Sequence, residues 1–190
     1  MGCEFSLSDT SALIGGGLTI LGVCIGLLGQ HLFEKRRQQN IVRGFLETLY
    51  EEFNALWEQI NGVAEKHWKE FEKEKKEGKK PILHLYLVSI SKDDLAIYRS
   101  NANLIVQIKD SDLRRKIVEV YMSFQALIEG YKINNRLLDE RIEVEGMLEN
   151  EALLEQISSE LHNRALDLER KHDDFRQSIE DLFKMLKKRI

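Results

Sequence analysis

Apolar residues fall into two regimes along this chain. Between residues 12 and 33 they are nearly continuous, and no Asp, Glu, Lys or Arg occurs from Thr10 to Phe33. Beyond residue 34 they recur every three or four positions among charged neighbours, the period of a helix with one buried face. As a helix, residues 12–33 rise roughly 33 Å, enough to cross a hydrocarbon core of about 30 Å. The first pattern therefore predicts a membrane span, and the second a set of long helices packed along apolar seams.

The seams can be read one by one. A first helix is expected over residues 34–77, continuing the span without a break, with Val42, Phe45, Leu46, Leu49, Phe53, Leu56, Ile60, Val63 and Phe71 inward and Tyr50, Trp57 and Trp68 thickening that face. The charged stretch 69–80, ending Gly78-Lys79-Lys80-Pro81, reads as a solvated helix end and turn, with a partner-binding charge patch as the alternative. Residues 82–90 are apolar and fit an extended connector or a short helix. Ser91-Lys92-Asp93-Asp94 has the form of an N-cap for a helix reaching residue 108. Asp110-Ser111-Asp112 opens another, whose seam is Leu113, Ile117, Val120, Phe124, Leu127, Tyr131, Asn134 and Leu138. Asn134 either sits buried and sets register or is rotated to the seam's edge, the placement favoured here. A last helix starts near Asn150 with Leu154, Ile157, Leu161, Leu168, Phe175, Ile179, Leu182 and Leu186, Ala165 and His172 filling the missing steps. The fold class predicted is all-α: one N-terminal transmembrane helix followed by an elongated antiparallel helical bundle or coiled coil with short connections. The chain divides accordingly into a short extracytoplasmic tail (1–11), the span (12–33) and a cytoplasmic bundle (34–190).

Within the span the small residues are ordered. Ser8, Ala12, Gly15, Thr19, Gly22, Gly26 and Gly29 alternate in steps of four and three, one helical face of small side chains that lets helices approach closely in lipid. The mean step of 3.5 favours a left-handed association. The candidate association face is Ala12, Gly15, Thr19, Gly22, Gly26 and Gly29. Gln30 and His31 add polarity at the inner boundary, an ordinary interfacial feature, and would face the mouth of a pore if one forms.

Charge sets the orientation. Lys35, Arg36, Arg37 and Arg43 follow the span and no cation precedes it, so the positive-inside rule places the C-terminal domain in the cytoplasm, at the inner (plasma) membrane. The same four residues are candidate contacts for anionic headgroups. A cleaved signal peptide would need a basic leader and a small-residue cleavage site, and residues 1–11 contain neither Lys nor Arg. Met1-Gly2-Cys3-Glu4-Phe5-Ser6 fits a myristoylation pattern but demands a cytosolic N-terminus, against the charge rule. Val23 is too large for the lipobox that Leu21-Gly22-Val23-Cys24 suggests.

Composition narrows the function. A single Pro among 32% charged residues suits long helices, and a net charge of −4 leaves no nucleic-acid footprint. Cys3 and Cys24 lie in tail and span, and the bundle has no cysteine, which suits a reducing compartment. The five histidines form no H-E-x-x-H or Cys/His cluster and read as surface or edge residues. Glu65-Lys66-His67 and Glu160-Leu161-His162 have the wrong spacing for a helical ligand pair. No phosphate loop, dinucleotide fingerprint or nucleophile elbow occurs. A non-enzyme is expected, with no catalytic site, metal or cofactor. The expected partners are membrane lipid, further copies of the chain and a cytoplasmic protein; no nucleic acid or small-molecule substrate is expected.

The order of parts resembles a loose class of small bacterial single-pass membrane proteins. The resemblance rests on the Gly-rich stretch 15–29, the basic Lys35-Arg36-Arg37, the segment 94–103 with Tyr98, and the Leu113-Arg114-Arg115-Lys116-Ile117 start that runs to Tyr121. Some members look like products of prophage or antiphage-defence loci. The resemblance implies an effector that oligomerises and breaches the inner membrane, and it carries over no catalytic residue. The alternative is a membrane-tethered scaffold or adaptor.

Overall fold

The computed structural model describes residues 7–85, 95–146 and 150–190, with side-chain surroundings from residue 22 onward. Among the described residues the chain forms five helices and no strand: α1 (Leu7–Lys76), α2 (Ala96–Ser100), α3 (Ala102–Ile105), α4 (Ser111–Glu145) and α5 (Glu151–Lys187). Two compact units divide at Gly44, inside α1.

In the first unit every residue from Gly22 to Ile41 is exposed. Val23, Ile25, Leu27, Leu28, Leu32 and Phe33 point to all sides of the helix and retain 56–71% of their surface. Among the described residues no helix is long and apolar enough to cross a membrane. The first half of the 12–33 segment lies outside the residues whose side chains are described.

The second unit is a bundle of the remainder of α1 with α4 and α5. Its seam on α1 is Phe45, Leu46, Leu49, Phe53, Leu56, Ile60, Ala64 and Phe71. The expected seam holds except at two steps: Val42 is only half-buried, and Val63 is 44% exposed while its neighbour Ala64 is fully buried. The α4 seam is buried at every predicted position, Asn134 included. On α5 the stripe is buried from Ile157 through Leu186, with His172 inside it and Leu154 half-buried at its start. Asn134 is thus corrected from seam edge to core, and His172 from surface to core.

Pairings fix the directions. Tyr50 meets Phe183 (4.8 Å between ring centroids), Trp57 meets Phe175 (5.5 Å) and Phe71 meets His162 (6.4 Å), so α1 and α5 are antiparallel. Phe124 packs on Phe175, and Arg189 near the chain's end bonds Asp110 at the start of α4, so α4 and α5 are antiparallel too. It follows that α1 and α4 run parallel, which departs from the all-antiparallel expectation. The described residues of the connector account for this: Leu83 lies beside Asn134 well along α4, whereas Ile97 and Tyr98 lie beside Glu52, far back from the end of α1.

The described parts of the connector are held by identifiable contacts. α1 stops in a Schellman motif, with Gly78 at φ +76°, Gly78 N donating to Lys75 O and Lys79 N to Glu74 O. Pro81, Leu83 and Leu85 are then buried while His84 is exposed, the period-two burial of an extended segment. Asn134 Nδ2 donates to Leu83 O at 3.1 Å, and His162 Nδ1 lies 2.8 Å from Pro81 O. The Ser91 cap lies outside the described residues. The helix expected up to residue 108 is instead the short pair α2 and α3, interrupted at Asn101, whose Nδ2 bonds back to Ile97 O. The carboxylate of Glu52 on α1 accepts from Ile97 N and Tyr98 N, and the Tyr98 ring stacks on Tyr121 at 3.9 Å. α4 opens as read: Asp110 accepts from Asp112 N and Leu113 N, and these backbone donors, Leu113 foremost, with Arg189 lower its carboxyl pKa. Gly146 follows α4 with an ordinary right-handed φ of −75°.

α4 and α5 approach closely, and Gly130 is where this matters. A Cβ there would lie 2.6 Å from Leu168 Cδ2, a side chain only 2% exposed. Gly62 on α1 has open space at the same position. Replacing a mid-helix Gly by Ala gains about 1 kcal/mol of helix propensity, and overpacking a core costs about 1–3 kcal/mol. Gly62→Ala should therefore raise unfolding stability by about 1 kcal/mol, whereas Gly130→Ala should lower it or leave it unimproved. Denaturant unfolding of both variants checks this; equal stabilisation would contradict the close approach.

Candidate functional site: a polar cleft between α1 and α5

The aromatic residues that join α1 to α5 leave a cleft of ≈ 450 Å³ beside them. One wall is Asn61, Glu65, Trp68, Lys69 and Glu72, at helical steps along α1. The other is Glu169, His172, Asp173 and Arg176, one face of α5. Charged residues belong on the outer face of an amphipathic helix, and here two such faces turn toward each other at the edge of the seam.

At one end two carboxyls meet. Glu169 faces Glu72, and Lys75 Nζ lies 2.8 Å from the first and 3.0 Å from the second. Burial raises the Glu169 pKa and the neighbouring Glu72 raises it further, while hydrogen bonds from Glu169 and Lys75 hold Glu72 below its usual value. Glu169 is accordingly the member that keeps a proton longest. The same pair, Glu169 first, raises the Lys75 pKa, and its ammonium also lies 5.9 Å above the Phe71 ring centre. Toward the other end Lys69 pairs with Glu65 at 2.7 Å. The end of α1, read from sequence as solvated, is thus tied across to α5 by Lys75.

Trp68 forms the aromatic wall. Its Nε1 donates to the hydroxyl of Tyr131 at 3.3 Å, so it pins the first helix to α4 as well. Tyr131 is 1% exposed, and burial raises its pKa strongly. His172 stands between Trp57 (5.3 Å) and Trp68 (5.9 Å), is 5% exposed, and its buried Nε2 has no hydrogen-bond partner. Burial pushes its pKa below the ordinary 6.5; Asp173 opposes that shift and Arg176 adds to it. The ring is therefore neutral near pH 7 and can accept a hydrogen bond.

The expectation that no Glu-x-x-His pair occurs is wrong at Glu169 and His172. Glu169-Arg170-Lys171-His172 is a Glu-x-x-His spacing, which puts carboxylate and imidazole on one helical face. A second signal was present too: His172 fills a step of the α5 stripe, where a polar residue is the unusual one. Among the described residues no three of His, Cys, Asp and Glu converge as metal ligands.

The residues singled out from sequence lie elsewhere. Ala12, Gly15 and Thr19 fall in α1 at positions whose side chains lie outside the described residues. Gly22, Gly26 and Gly29 share one helical face, with open space where a Cβ would stand. Lys35, Arg36, Arg37 and Arg43 are exposed, with Arg37 4.0 Å from Glu34. Compared with known protein families, curated proteins and solved structures, the chain matches none.

Two measurements test this geometry. In a double-mutant cycle of Trp68→Phe and Tyr131→Phe, the shared hydrogen bond should appear as a coupling of about 1 kcal/mol; strict additivity would contradict it. His172 gives a pH dependence. Its folded pKa lies below the unfolded one, so its contribution is complete above about pH 6.5 and is lost as pH falls below that value. Glu169 acts in the opposite sense, its raised pKa favouring the fold at low pH and losing that contribution as pH rises. The comparison is therefore between wild type and His172→Gln, which should lose less stability between about pH 7.5 and about pH 5.5. Parallel curves would show that His172 is not buried neutral.

Proposed function

We propose that this chain is a self-associating membrane-anchored effector. Residues 12–33 cross the inner membrane with the N-terminus outside, and the bundle lies in the cytoplasm. A cytoplasmic protein triggers assembly, which brings the small-residue faces together and opens the membrane. The observation that carries this reading is the uncovered apolar surface of α1. Six large apolar side chains between Val23 and Phe33 remain mostly exposed on all sides of a helix. Burying each is worth about 1.5–3 kcal/mol, so together they rival the whole stability of an ordinary domain. Such a helix calls for lipid, other copies or both, and an apolar surface running all round is the mark of a spanning helix. The open space at Gly22, Gly26 and Gly29 leaves room for a second backbone to approach. The exposed Lys35, Arg36, Arg37 and Arg43 suit anionic headgroups on the cytoplasmic side.

A tethered adaptor is the second reading, favoured by the cleft, which gives the bundle a recognition feature of its own. In it the anchor only localises the bundle.

Gly22→Leu with Gly26→Leu separates the two. The effector reading expects crosslinked ladders to collapse to monomer and the loss of membrane potential in expressing cells, followed with a potential-sensitive dye, to disappear. Unchanged ladders and unchanged depolarisation would remove it. Full function after replacing residues 12–33 by a foreign membrane helix would favour the adaptor.

A further inference from the structure

We propose that the end of the bundle at which α1 enters it is a docking surface for anionic lipid headgroups, holding the bundle's basic end against the bilayer and its acidic end away. The proposal rests on the anchor reading for the nearness of the bilayer. It adds a second membrane contact in the bundle itself, apart from Lys35, Arg36, Arg37 and Arg43.

Four segments converge at this end. Tyr50 on α1 packs on Phe183 of α5, and Lys187 Nζ lies 5.6 Å from the centre of the same Tyr50 ring. Arg189 reaches Asp110 at 2.8 Å, and Arg114 donates to Ile108 O, so the loop before α4 and the start of α4 meet the end of α5. The buried seam of α1 begins here at Phe45, and residues 34–44 separate it from the proposed span. Those residues reach at most about 40 Å even when extended. The other end of α4 lies about 50 Å farther on, given its 35 residues.

Charge is sorted along α4 and α5. Residues 106–118 and 180–190 hold eight basic and four acidic side chains, whereas the opposite end, residues 139–155, holds one Arg among seven acids. On α5 the helix macrodipole favours this order, with Glu151 in the first turn and Lys184 and Lys187 in the last. On α4 the macrodipole opposes it. Past Asp110 and Asp112 come Arg114, Arg115 and Lys116, and no basic residue stands in the last turn. Helix stability therefore does not account for the sorting, whereas an anionic surface beside one end would.

Half of these cations are free to meet phosphates. Arg115 pairs with Asp112, Lys116 with Glu119, Lys184 with Asp181 and Arg189 with Asp110, at 2.8–3.0 Å. Among the described residues no acid stands within ion-pair distance of Lys109, Arg114, Lys187 or Lys188, and the three lysines are exposed. Three residues before Lys109, Val106 retains 77% of its surface, more than any large apolar side chain between Val23 and Phe33. Free cations beside a bare apolar side chain suit a headgroup layer: the ammonium groups meet phosphates and the isopropyl group reaches the acyl boundary.

The test places a fluorescent probe at either end of the bundle in the full chain. Gln107→Cys and Ala152→Cys, both at exposed positions, are made separately with Cys3→Ser and Cys24→Ala and labelled with an environment-sensitive maleimide. Each is reconstituted into vesicles of phosphatidylcholine alone and of phosphatidylcholine with about one-third phosphatidylglycerol, with and without nitroxide-labelled lipid. The probe at 107 should shift to shorter wavelength and be quenched in anionic vesicles only, and should lose both effects in about 1 M salt. The probe at 152 should not respond to lipid composition. Each cation near such a surface is worth about fivefold in binding, so Lys109→Glu with Lys188→Glu should remove most of the quenching at unchanged helicity and melting. If that pair folds poorly, Lys109→Gln alone should still reduce it. The same response at 107 in both vesicle types, an equal response at 152, or full quenching in the folded charge variants would overturn the proposal. Flotation with phosphatidylcholine vesicles reports the anchor separately. A chain that stays behind contradicts residues 12–33 in lipid, and the two probes in anionic vesicles still decide this contact.

Discussion

Apolar side chains on a helix must leave water, and the two units of this chain meet that demand differently. In the bundle, α1, α4 and α5 cover one another, so that Leu49, Phe53, Ile60, Phe124 and Phe175 are almost wholly buried. In the first unit no described residue of the chain covers Val23 through Phe33. Because hydrophobic stabilisation grows with the area removed from water, the first arrangement gives a folded domain and the second asks for a partner from outside it. Both the proposed anchor and the proposed assembly answer that requirement.

Within the bundle, large rings join α1 to α5 while a missing side chain lets α4 approach α5. Tyr50, Trp57, Trp68 and Phe71 reach α5 through aromatic contacts, and Gly130 makes room for Leu168. The cleft lies along the first of these seams, beyond its rings, where charged outer faces converge. Its polar network is incomplete at His172, and an unmet buried acceptor costs stability unless something donates to it. Such departures from local rules occur at functional or strained positions.

Helix periodicity made the long seams legible. On α4 and α5 nearly every position named from spacing is buried, because two long amphipathic stripes can pack in few ways. The choice between Val63 and Ala64 was not legible, since hydrophobicity favours valine and the register of a long helix favours alanine. Nor was the fate of Asn134, which depends on a carbonyl 51 residues away, at Leu83. The connector hid its path for the same reason: Glu52 bonds the start of α2, and His162 and Asn134 hold residues 81–85, all through tertiary contacts that leave no local pattern. His172 was legible from the stripe, whose neighbouring steps Leu168 and Phe175 are apolar and buried. The cleft itself could not be read from sequence, because it requires knowing which outer faces of α1 and α5 meet.

The central claim, that residues 12–33 reside in lipid with the N-terminus outside, is open to the chain's own two cysteines. Cys3 precedes the segment and Cys24 lies within it. Spheroplasts expressing the full chain would be treated with a membrane-impermeant maleimide, before and after denaturation in detergent. Modification of Cys3 in intact cells, with Cys24 reacting only after denaturation, is the predicted result. Ready modification of Cys24 in a chain recovered from the soluble fraction would contradict it.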